Sequence, residues 1–346
     1  MTTIAYIGNF KPDRSTENAY RYAFEKLGCE VIPLQQERVS EIGVDASWRE
    51  FDPRPEGSPL DLVLYTRTHN HTALTDDLWT FMWRNLEHFG GVQTASVHLD
   101  VFVGAPDMNN QNHEYVGHKM MHRDGMRNWR DPLFTTGHVF TPDPLLANYI
   151  TTDATVHHWL PPAADVRAGD PPGEPIEGLA GKVVFVGSRY GTASSHPEYP
   201  ERVELLDWLE ETYAADFYWY GPGSPRGTLR GKQLWDVYAS DCVIVGDSCF
   251  AQSWEGRPYY WSDRVPETLA HGGYLIHPVV AGLAENFPRL EQWYTGSDVL
   301  DERIGLMRDA LPARQWRGEA QALARRDHTY VNRAREILDT LGLEHT

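Results

Sequence analysis

Residues 262–276 read SDRVPETLAHGGYLI, and this stretch decides the class of fold. A short helix is predicted to begin near Arg264, since Pro266 is tolerated in the first turn of a helix. The helix is predicted to end at the glycine pair 272–273, and an apolar strand over 274–277 follows. A helix followed directly by a buried strand is typical of an α/β sheet, in which ligands lie beyond the carboxyl ends of the strands.

Strands alternate with helices on both sides of this stretch, which predicts βαβ units and mainly parallel sheets. The predicted strands of the first half are 3–8, 29–34, 62–65, 92–98, 138–141 and 155–160. Those of the second half are 182–186, 216–220, 242–245 and 274–277, with helices predicted between them.

A Pro- and Gly-rich acidic stretch, AGDPPGEPIEG at 168–178, interrupts the alternation and indicates a linker. With 346 residues, the chain suits two α/β domains of about 150 residues each. The predicted organisation is a Rossmann-like domain, a linker, a second Rossmann-like domain and a final helical segment, over 1–162, 163–179, 180–327 and 328–346. The apolar positions of the last helix, 329–341, follow helical spacing and need a surface to bury.

The formal net charge of −18 argues against tight, non-specific binding of nucleic acid, because it repels phosphate backbones. No apolar run approaches the ~18 residues of a membrane helix, and the N-terminus lacks the pattern of a signal peptide. The three cysteines, Cys29, Cys242 and Cys249, have no metal-binding spacing. These features predict a cytoplasmic protein without a membrane span.

Two loops that follow predicted strands can bind phosphate groups. At 187–191 the sequence GSRYG lacks both a dinucleotide-binding and a P-loop pattern, which disfavours those two classes. Gly187 still permits close approach of a ligand, and the planar guanidinium of Arg189 matches phosphate oxygens. In the second loop, Arg264 can contact phosphate, and Glu267 can accept hydrogen bonds from ribose hydroxyls. The alternatives are a glycine that simply ends a strand and a capped helix with a surface Glu–Arg pair.

The 262–276 stretch resembles the donor-binding signature of GT-B glycosyltransferases, especially the family 1-like domain of CgeB-type proteins. In that signature an Asp–Arg pair precedes a Glu, and an Ala-x-Gly-Gly ends the helix, as in Asp263-Arg264, Glu267 and Ala270–Gly273. Arg202 stands where related retaining enzymes have a phosphate-binding lysine. Residues 218–223 (YWYGPG) are similar to the loop after the second strand of the donor domain, and His328-Thr329-Tyr330 to the opening of the final helix.

The resemblance implies an α/β fold with two Rossmann-like domains facing across a cleft and a C-terminal helix crossing back to the first. It assigns the acceptor to the first domain and a nucleotide-diphosphate sugar, with a UDP-sugar favoured, to the second. The implied activity is transfer of the sugar to a hydroxyl group, with retention of configuration and without a cofactor. The expected donor-binding residues are Gly8, Asn9, Gly187, Ser188, Arg189, Arg202, Tyr220, Gly221, Arg264, Glu267 and Thr268, and Arg189 is also a catalytic candidate.

Catalytic candidates in the first domain follow its fourth predicted strand. His98 and Asp100 resemble the strand-ending histidine and aspartate found near the sugar in retaining GT-B enzymes, and Asp100 can act as a base. The alternative is a satisfied, half-buried histidine followed by a helix cap. No Asp-x-Asp occurs in the chain, and His69 and His71 have no third ligand in sequence reach, so a metal-independent reaction is predicted.

One departure from the family pattern leaves the donor sugar open. Tyr259 stands where retaining relatives often have a glutamate, eight positions before Glu267. Three alternatives also remain: a nucleotide-sugar epimerase on the same fold, a non-catalytic carbohydrate-binding protein, and a phage-type enzyme acting on hydroxylated bases in DNA. In the last case the basic segment 118–130 would contact the nucleic acid.

The role of His98 is tested by His98→Ala. If its ring lies against the transferring sugar, this substitution lowers the rate of transfer far more than it weakens donor binding. Steady-state kinetics together with titration calorimetry of the donor separate the two effects. An unchanged transfer rate removes His98 from the catalytic candidates and leaves Asp100.

Overall fold

A computed structural model describes two compact units. The first comprises Met1–Pro161 with Tyr330–Thr346, and the second Pro162–Thr329. The residues described are 1–35, 38, 50, 58–67, 92–98, 137–142, 156–189, 200–247, 261–280, 282–288, 293–309 and 313–346. Within these ranges, no helix is long and apolar enough to cross a membrane.

The first unit contains a parallel sheet of six strands in the order β2-β1-β3-β4-β5-β6. Its elements in chain order are β1 (Thr3–Gly8), α1 (Thr16–Lys26), β2 (Glu30–Gln35), β3 (Leu62–Arg67), β4 (Gln93–His98), β5 (His138–Thr141) and β6 (Val156–Trp159). The predicted helices over 74–88 and 144–150 lie outside the described residues.

Helix α1 shows how local chemistry sets the bounds of an element. Ser15 caps its N-terminus, because the hydroxyl accepts a hydrogen bond of 3.1 Å from the Asn18 N–H. Tyr20 and Phe24, spaced four residues apart, are both buried. The helix stops at Gly28, whose φ of 79° lies in the left-handed region that favours glycine.

The second unit contains a parallel sheet of five strands in the order β11-β10-β9-β7-β8. Its strands are β7 (Val183–Val186), β8 (Phe217–Tyr220), β9 (Val243–Val245), β10 (Tyr274–Pro278) and β11 (Trp293–Tyr294). Its helices are α2 (Pro200–Tyr213), α3 (Lys232–Ala239), α4 (Arg264–Ala270), α5 (Leu283–Asn286), α6 (Ser297–Asp309) and α7 (Ala313–Asp327). Neither α5 nor β11 was predicted from the sequence, because elements of four and two residues carry no detectable period.

The hydrophobic core of the second unit lies between the sheet and helices α2 and α6. Val183, Phe185 and Val243 contribute from the strands, whereas Leu206 and Ile304 contribute from the two helices. Each of these side chains is almost fully buried. The short, purely apolar strands are typical of a parallel sheet that is covered on both faces.

The stretch that composition identified as a linker packs along the second unit. The Ala164 N–H donates to the His328 carbonyl at 2.8 Å, and Ala164 pairs with Thr329 in an isolated parallel bridge. Gly173 lies so close to Trp235 that a Cβ there would be 2.3 Å from the Trp235 carbonyl oxygen. Backbone hydrogen bonds and close backbone contact hold this segment, and neither produces a periodic sequence pattern.

The final helix, α8 (Tyr330–Leu341), belongs to the first unit and packs against α1. The rings of Tyr330 and Tyr20 meet edge to face, with centroids 4.9 Å apart. Arg333 is buried, and its Nε donates to the Pro161 carbonyl at 2.7 Å. Ile337 and Leu341 complete the buried face of the helix.

Helix α7 ties down the C-termini of α3 and α4. Arg317 donates to the carbonyls of Tyr238 (3.0 Å) and Ala239 (2.5 Å) at the end of α3, and to Gly272 beyond α4. One helical turn apart, Gln321 and Arg325 both donate to the Ala270 carbonyl. These side chains satisfy carbonyls that have no partner within their own helices.

Replacement of Arg317 by alanine is expected to lower the free energy of unfolding by roughly 2–3 kcal/mol, because several buried carbonyls lose a charged donor together. Urea denaturation followed by circular dichroism measures the change. Arg326→Ala in the same helix is the control, since that side chain is 70% exposed and its ion pair with Asp327 is screened by water. Equal stability of the two variants would contradict the capping role.

Candidate functional site

The sheet of the second unit has its topological switch point between β7 and β9. These two strands are hydrogen-bonded neighbours, whereas β8 and β10 extend the sheet in opposite directions from them. Gly187 directly follows β7, and Asp247 lies two residues beyond β9. Ligands of open parallel sheets bind at such a point, outside the carboxyl ends of the strands.

Asp247 joins two arginines at this point. Its Oδ2 accepts a hydrogen bond of 2.5 Å from the Arg202 Nε, and its Oδ1 accepts one of 2.6 Å from an Arg264 terminal nitrogen. The Asp247 side chain is only 6% exposed. Burial by itself raises the pKa of Asp247, but the two guanidiniums outweigh it and hold the pKa below the usual value.

The two guanidiniums are fixed from further directions. Arg202 also reaches the carbonyl and the hydroxyl oxygen of Ser188, both at 3.3 Å. The ring of Phe185 lies beneath both groups, with its centroid 5.9 Å from the Arg202 guanidinium carbon and 5.3 Å from that of Arg264. Glycine is favoured at position 187, because its φ of 154° is strained for other residues and a Cβ would lie 3.0 Å from the Phe185 ring.

This Asp247 cluster, defined as Arg202, Asp247 and Arg264, places two guanidiniums around one carboxylate at the switch point of the sheet. Arginine forks match the oxygens of carboxylates and phosphates in the same geometry. The arrangement can therefore bind a phosphate or diphosphate group.

Tyr220 and Gly221 hold the neighbouring loop against the site through their backbones. The Gly187 N–H donates to the Tyr220 carbonyl at 2.8 Å, and the Trp219 Nε1–H donates to the Gly187 carbonyl at 2.7 Å. A Cβ at Gly221 would be 1.9 Å from the Gly187 oxygen, so only glycine permits this approach. The two predicted residues thus lie beside Gly187, and their described contacts are structural.

Arg189 follows β7 and pairs with side chains of α2, and it is not part of the Asp247 cluster. Its guanidinium pairs with Asp207 and Glu210, and it stacks 5.5 Å from the centroid of the Trp219 ring. Its contact with the diphosphate stays a prediction.

Glu267 and Thr268 follow Arg264 on α4. One Glu267 oxygen accepts from the Trp235 indole N–H at 3.1 Å, and the other from the Asp165 backbone N–H at 2.9 Å. Thr268 is fully buried, and a Cβ at Gly273 would be 2.5 Å from its Cγ2. Glu267 therefore remains partly accessible near Arg264, whereas Thr268 packs into the interior.

The remaining candidates belong to the first unit. Gly8 ends β1 and packs on Glu17, and the Asn9 side chain accepts from the Gln35 amide at 3.3 Å. His98 is the last residue of β4, and its side chain lies outside the described residues. Also outside them are Asp100, Tyr259 and the segments 69–71 and 118–130. Within the described ranges, no group of three or more His, Cys, Asp or Glu side chains is placed to hold a metal ion.

Asp247 is the site residue that the sequence analysis missed. The strand before it was predicted, and a carboxylate directly after a strand of a parallel sheet is a signal that could have found it. Its contacts with Arg202 and Arg264 join residues 45 and 17 positions away.

Residues 202–339 match the family described as glycosyl transferase-like. This part of the chain is a glycosyl transferase-like domain. The match begins at Arg202, includes Asp247, Arg264 and Glu267, and extends into the final helix. No curated protein sequence matches the chain.

Solved structures of glycosyltransferases share the fold over nearly the whole chain. A sucrose-phosphate synthase from Thermosynechococcus elongatus is similar with a TM-score of 0.60 and 12% identity, covering 98% of each chain. A glycosyltransferase from Rickettsia africae has a TM-score of 0.52 at 12% identity, over 98% of this chain and 97% of that one. A glycosyltransferase of avilamycin A biosynthesis has a TM-score of 0.52 at 12% identity, over 99% of this chain and 97% of that one.

These comparisons confirm the predicted GT-B fold with two Rossmann-like domains and the family 1-like glycosyltransferase. The CgeB-type assignment stays a prediction.

His277 is a buried titratable group beside the Asp247 cluster. It lies in β10, where its Nδ1–H donates to the Pro278 carbonyl at 2.9 Å, and its ring fills the space next to Gly246. Burial lowers the pKa of His277 from 6.5 to about 4. The ring is therefore neutral in the folded protein at pH 7.

His277 is expected to make the protein less stable in mild acid. Between the folded and unfolded pKa values, the unfolded chain binds a proton at His277 that the folded protein does not bind. The contribution of neutral His277 to the free energy of unfolding is therefore complete above pH 6.5 and decreases as the pH falls. The expected loss is about 2 kcal/mol from pH 7 to pH 5. Urea unfolding of the wild type and of His277→Asn across this range tests it. The variant should lose less stability on acidification, and parallel profiles would contradict the assignment.

Proposed function

We propose that the protein transfers a sugar from a nucleoside-diphosphate sugar, with a UDP-sugar as the favoured donor, to a hydroxyl acceptor. The observation that carries the proposal is the pair of arginines on Asp247 at the switch point of the second sheet. Guanidinium groups match the oxygens of the diphosphate of such a donor. The family match over residues 202–339 includes all three residues.

In this proposal Arg202 and Arg264 stabilise the leaving group. As the bond between the anomeric carbon and the diphosphate oxygen breaks, negative charge grows on that oxygen. Asp247 keeps the two guanidiniums in place before the donor arrives, so little reorganisation is needed when the charge develops. Phe185 beneath the guanidiniums keeps water from that side.

In the same proposal, Glu267 binds the ribose of the donor and the first unit binds the acceptor. Glu267 follows Arg264 by three residues on α4, which is about 4.5 Å along a helix axis and suits the step from phosphate to ribose. In a retaining reaction the departing diphosphate oxygen takes the proton of the acceptor hydroxyl as the new bond forms on the same face. His98 and Asp100 remain the candidates of the first unit for contact with the sugar.

Binding of UDP to the wild type and to Arg264→Ala tests the donor site. Loss of one charge-assisted contact to the diphosphate is expected to weaken UDP by about 10–150-fold. Titration calorimetry measures the affinity, and circular dichroism verifies that the variant is folded. A panel of nucleoside diphosphates in thermal-shift experiments identifies the preferred base.

Arg189→Ala is the matched comparison in this experiment. Because Asp207 and Glu210 already hold that guanidinium, a smaller loss of affinity is expected than for Arg264→Ala. Wild-type affinity in Arg264→Ala would remove the Asp247 cluster from the donor site. Interconversion of the bound sugar without release of UDP would favour an epimerase instead.

We further propose that transfer requires no divalent metal. The support is chemical: the sequence has no Asp-x-Asp pair, and two arginines are available to neutralise a diphosphate. Turnover of a UDP-sugar after exhaustive chelation is expected to continue at a similar rate. Complete loss of turnover that Mn²⁺ or Mg²⁺ restores would refute this.

A further inference from the structure

The Glu267 carboxylate is held from two sides. Its Oε1 accepts from the Trp235 Nε1–H at 3.1 Å, and its Oε2 accepts from the Asp165 backbone N–H at 2.9 Å. His271 approaches Oε1 at a longer distance of 3.4 Å. Among the described residues, each carboxylate oxygen thus accepts one hydrogen bond of normal length. Together the two bonds fix the plane of the carboxylate.

Trp235 is itself a rigid support. The side chain is 2% exposed on α3, and its ring stacks on His271 with centroids 4.6 Å apart and planes 6° from parallel. Gly173 contacts the backbone of Trp235 and closes that side. The indole N–H can therefore point only toward Glu267, and Glu267 stays 18% exposed for a ligand.

A fixed carboxylate with one lone pair left on each oxygen matches two adjacent hydroxyl groups, which donate in parallel. A carboxylate that can rotate loses this match, because ordering it again costs free energy on binding. The vicinal 2′- and 3′-hydroxyls of a ribose have the required chemistry.

We propose that Trp235 is a positioning residue that orients Glu267 for the ribose diol of the donor. The inference rests on the proposed function, since it uses Arg264 for the diphosphate and Glu267 for the ribose of the same nucleotide. The competing explanation is that the Trp235–Glu267 bond only joins α3 to α4. The two explanations differ in whether the bond affects discrimination between a ribose and a sugar without the diol.

The probes are UDP and 2′,3′-dideoxyuridine diphosphate, measured by titration calorimetry. Wild type is expected to bind UDP at least about tenfold more tightly, as for two hydrogen bonds to a charged acceptor. Trp235→Phe keeps an aromatic ring on His271 and removes the N–H together with part of the indole, a loss of ring volume that the Trp208→Phe control below shares. It should bind the dideoxy compound as wild type does and lose most of the preference for UDP.

Three further variants complete the experiment. Glu267→Gln should lose the same preference, and the double variant should lose no more than either single one, since both changes act through one contact. Trp208→Phe is the matched control, because Trp208 is partly buried on α2, away from Glu267, and packs edge to face on Tyr213. It should keep the full preference for UDP.

The outcomes distinguish a failure of the positioning role from a failure of the donor site. Undiminished preference for UDP in a folded Trp235→Phe refutes the positioning role and leaves the donor site intact. Failure of the wild type to bind UDP refutes the donor site and this role with it. If Trp235→Phe does not fold, nuclear magnetic resonance of the wild type provides the test. The indole N–H signal of Trp235 is identified as the one that moves in Glu267→Gln. It should shift with UDP but not with the dideoxy compound, and equal shifts refute the role.

Discussion

The contact of one buried carboxylate with two guanidiniums is the constraint on which the second unit depends. Asp247 stands after β9, Arg202 in the first turn of α2, and Arg264 at the start of α4. The pairing thus fixes the first turns of two helices against the end of β9 at the switch point of the sheet. Removing one partner from such a group leaves a buried charge without compensation, which is far more costly than losing a surface ion pair.

Around this cluster the packing keeps α4 in one position. Gly187 permits the approach of Arg264, and Gly273 permits that of Thr268. Helix α7 holds the far end of α4 through Arg325 and Gln321 on the Ala270 carbonyl. A helix of seven residues has little stability of its own, so these contacts decide its orientation and the direction of its first-turn side chains.

Much of the fold followed from local patterns in the sequence. Strands β7 to β10 were predicted to within one residue at their N-terminal ends, because short apolar runs between turn residues are typical of buried parallel strands. The segment 163–179 is different: its composition indicated a linker, whereas Ala164 and Gly173 are packed on the second unit. Proline and glycine content reports a lack of regular structure, and it does not report whether a segment is held by its backbone.

The sequence by itself determined the alternating elements, the final amphipathic helix and the resemblance of residues 262–276 to a glycosyltransferase donor signature. It also supplied Arg202, Arg264 and Glu267 as candidates. Only the tertiary structure decided that Asp247 joins the two arginines, that Arg189 pairs with α2, and that Trp235 holds Glu267. The reason is physical: spacing along a chain fixes the face of a helix or strand, whereas the partner of a charge across 17 to 45 residues depends on how the elements pack.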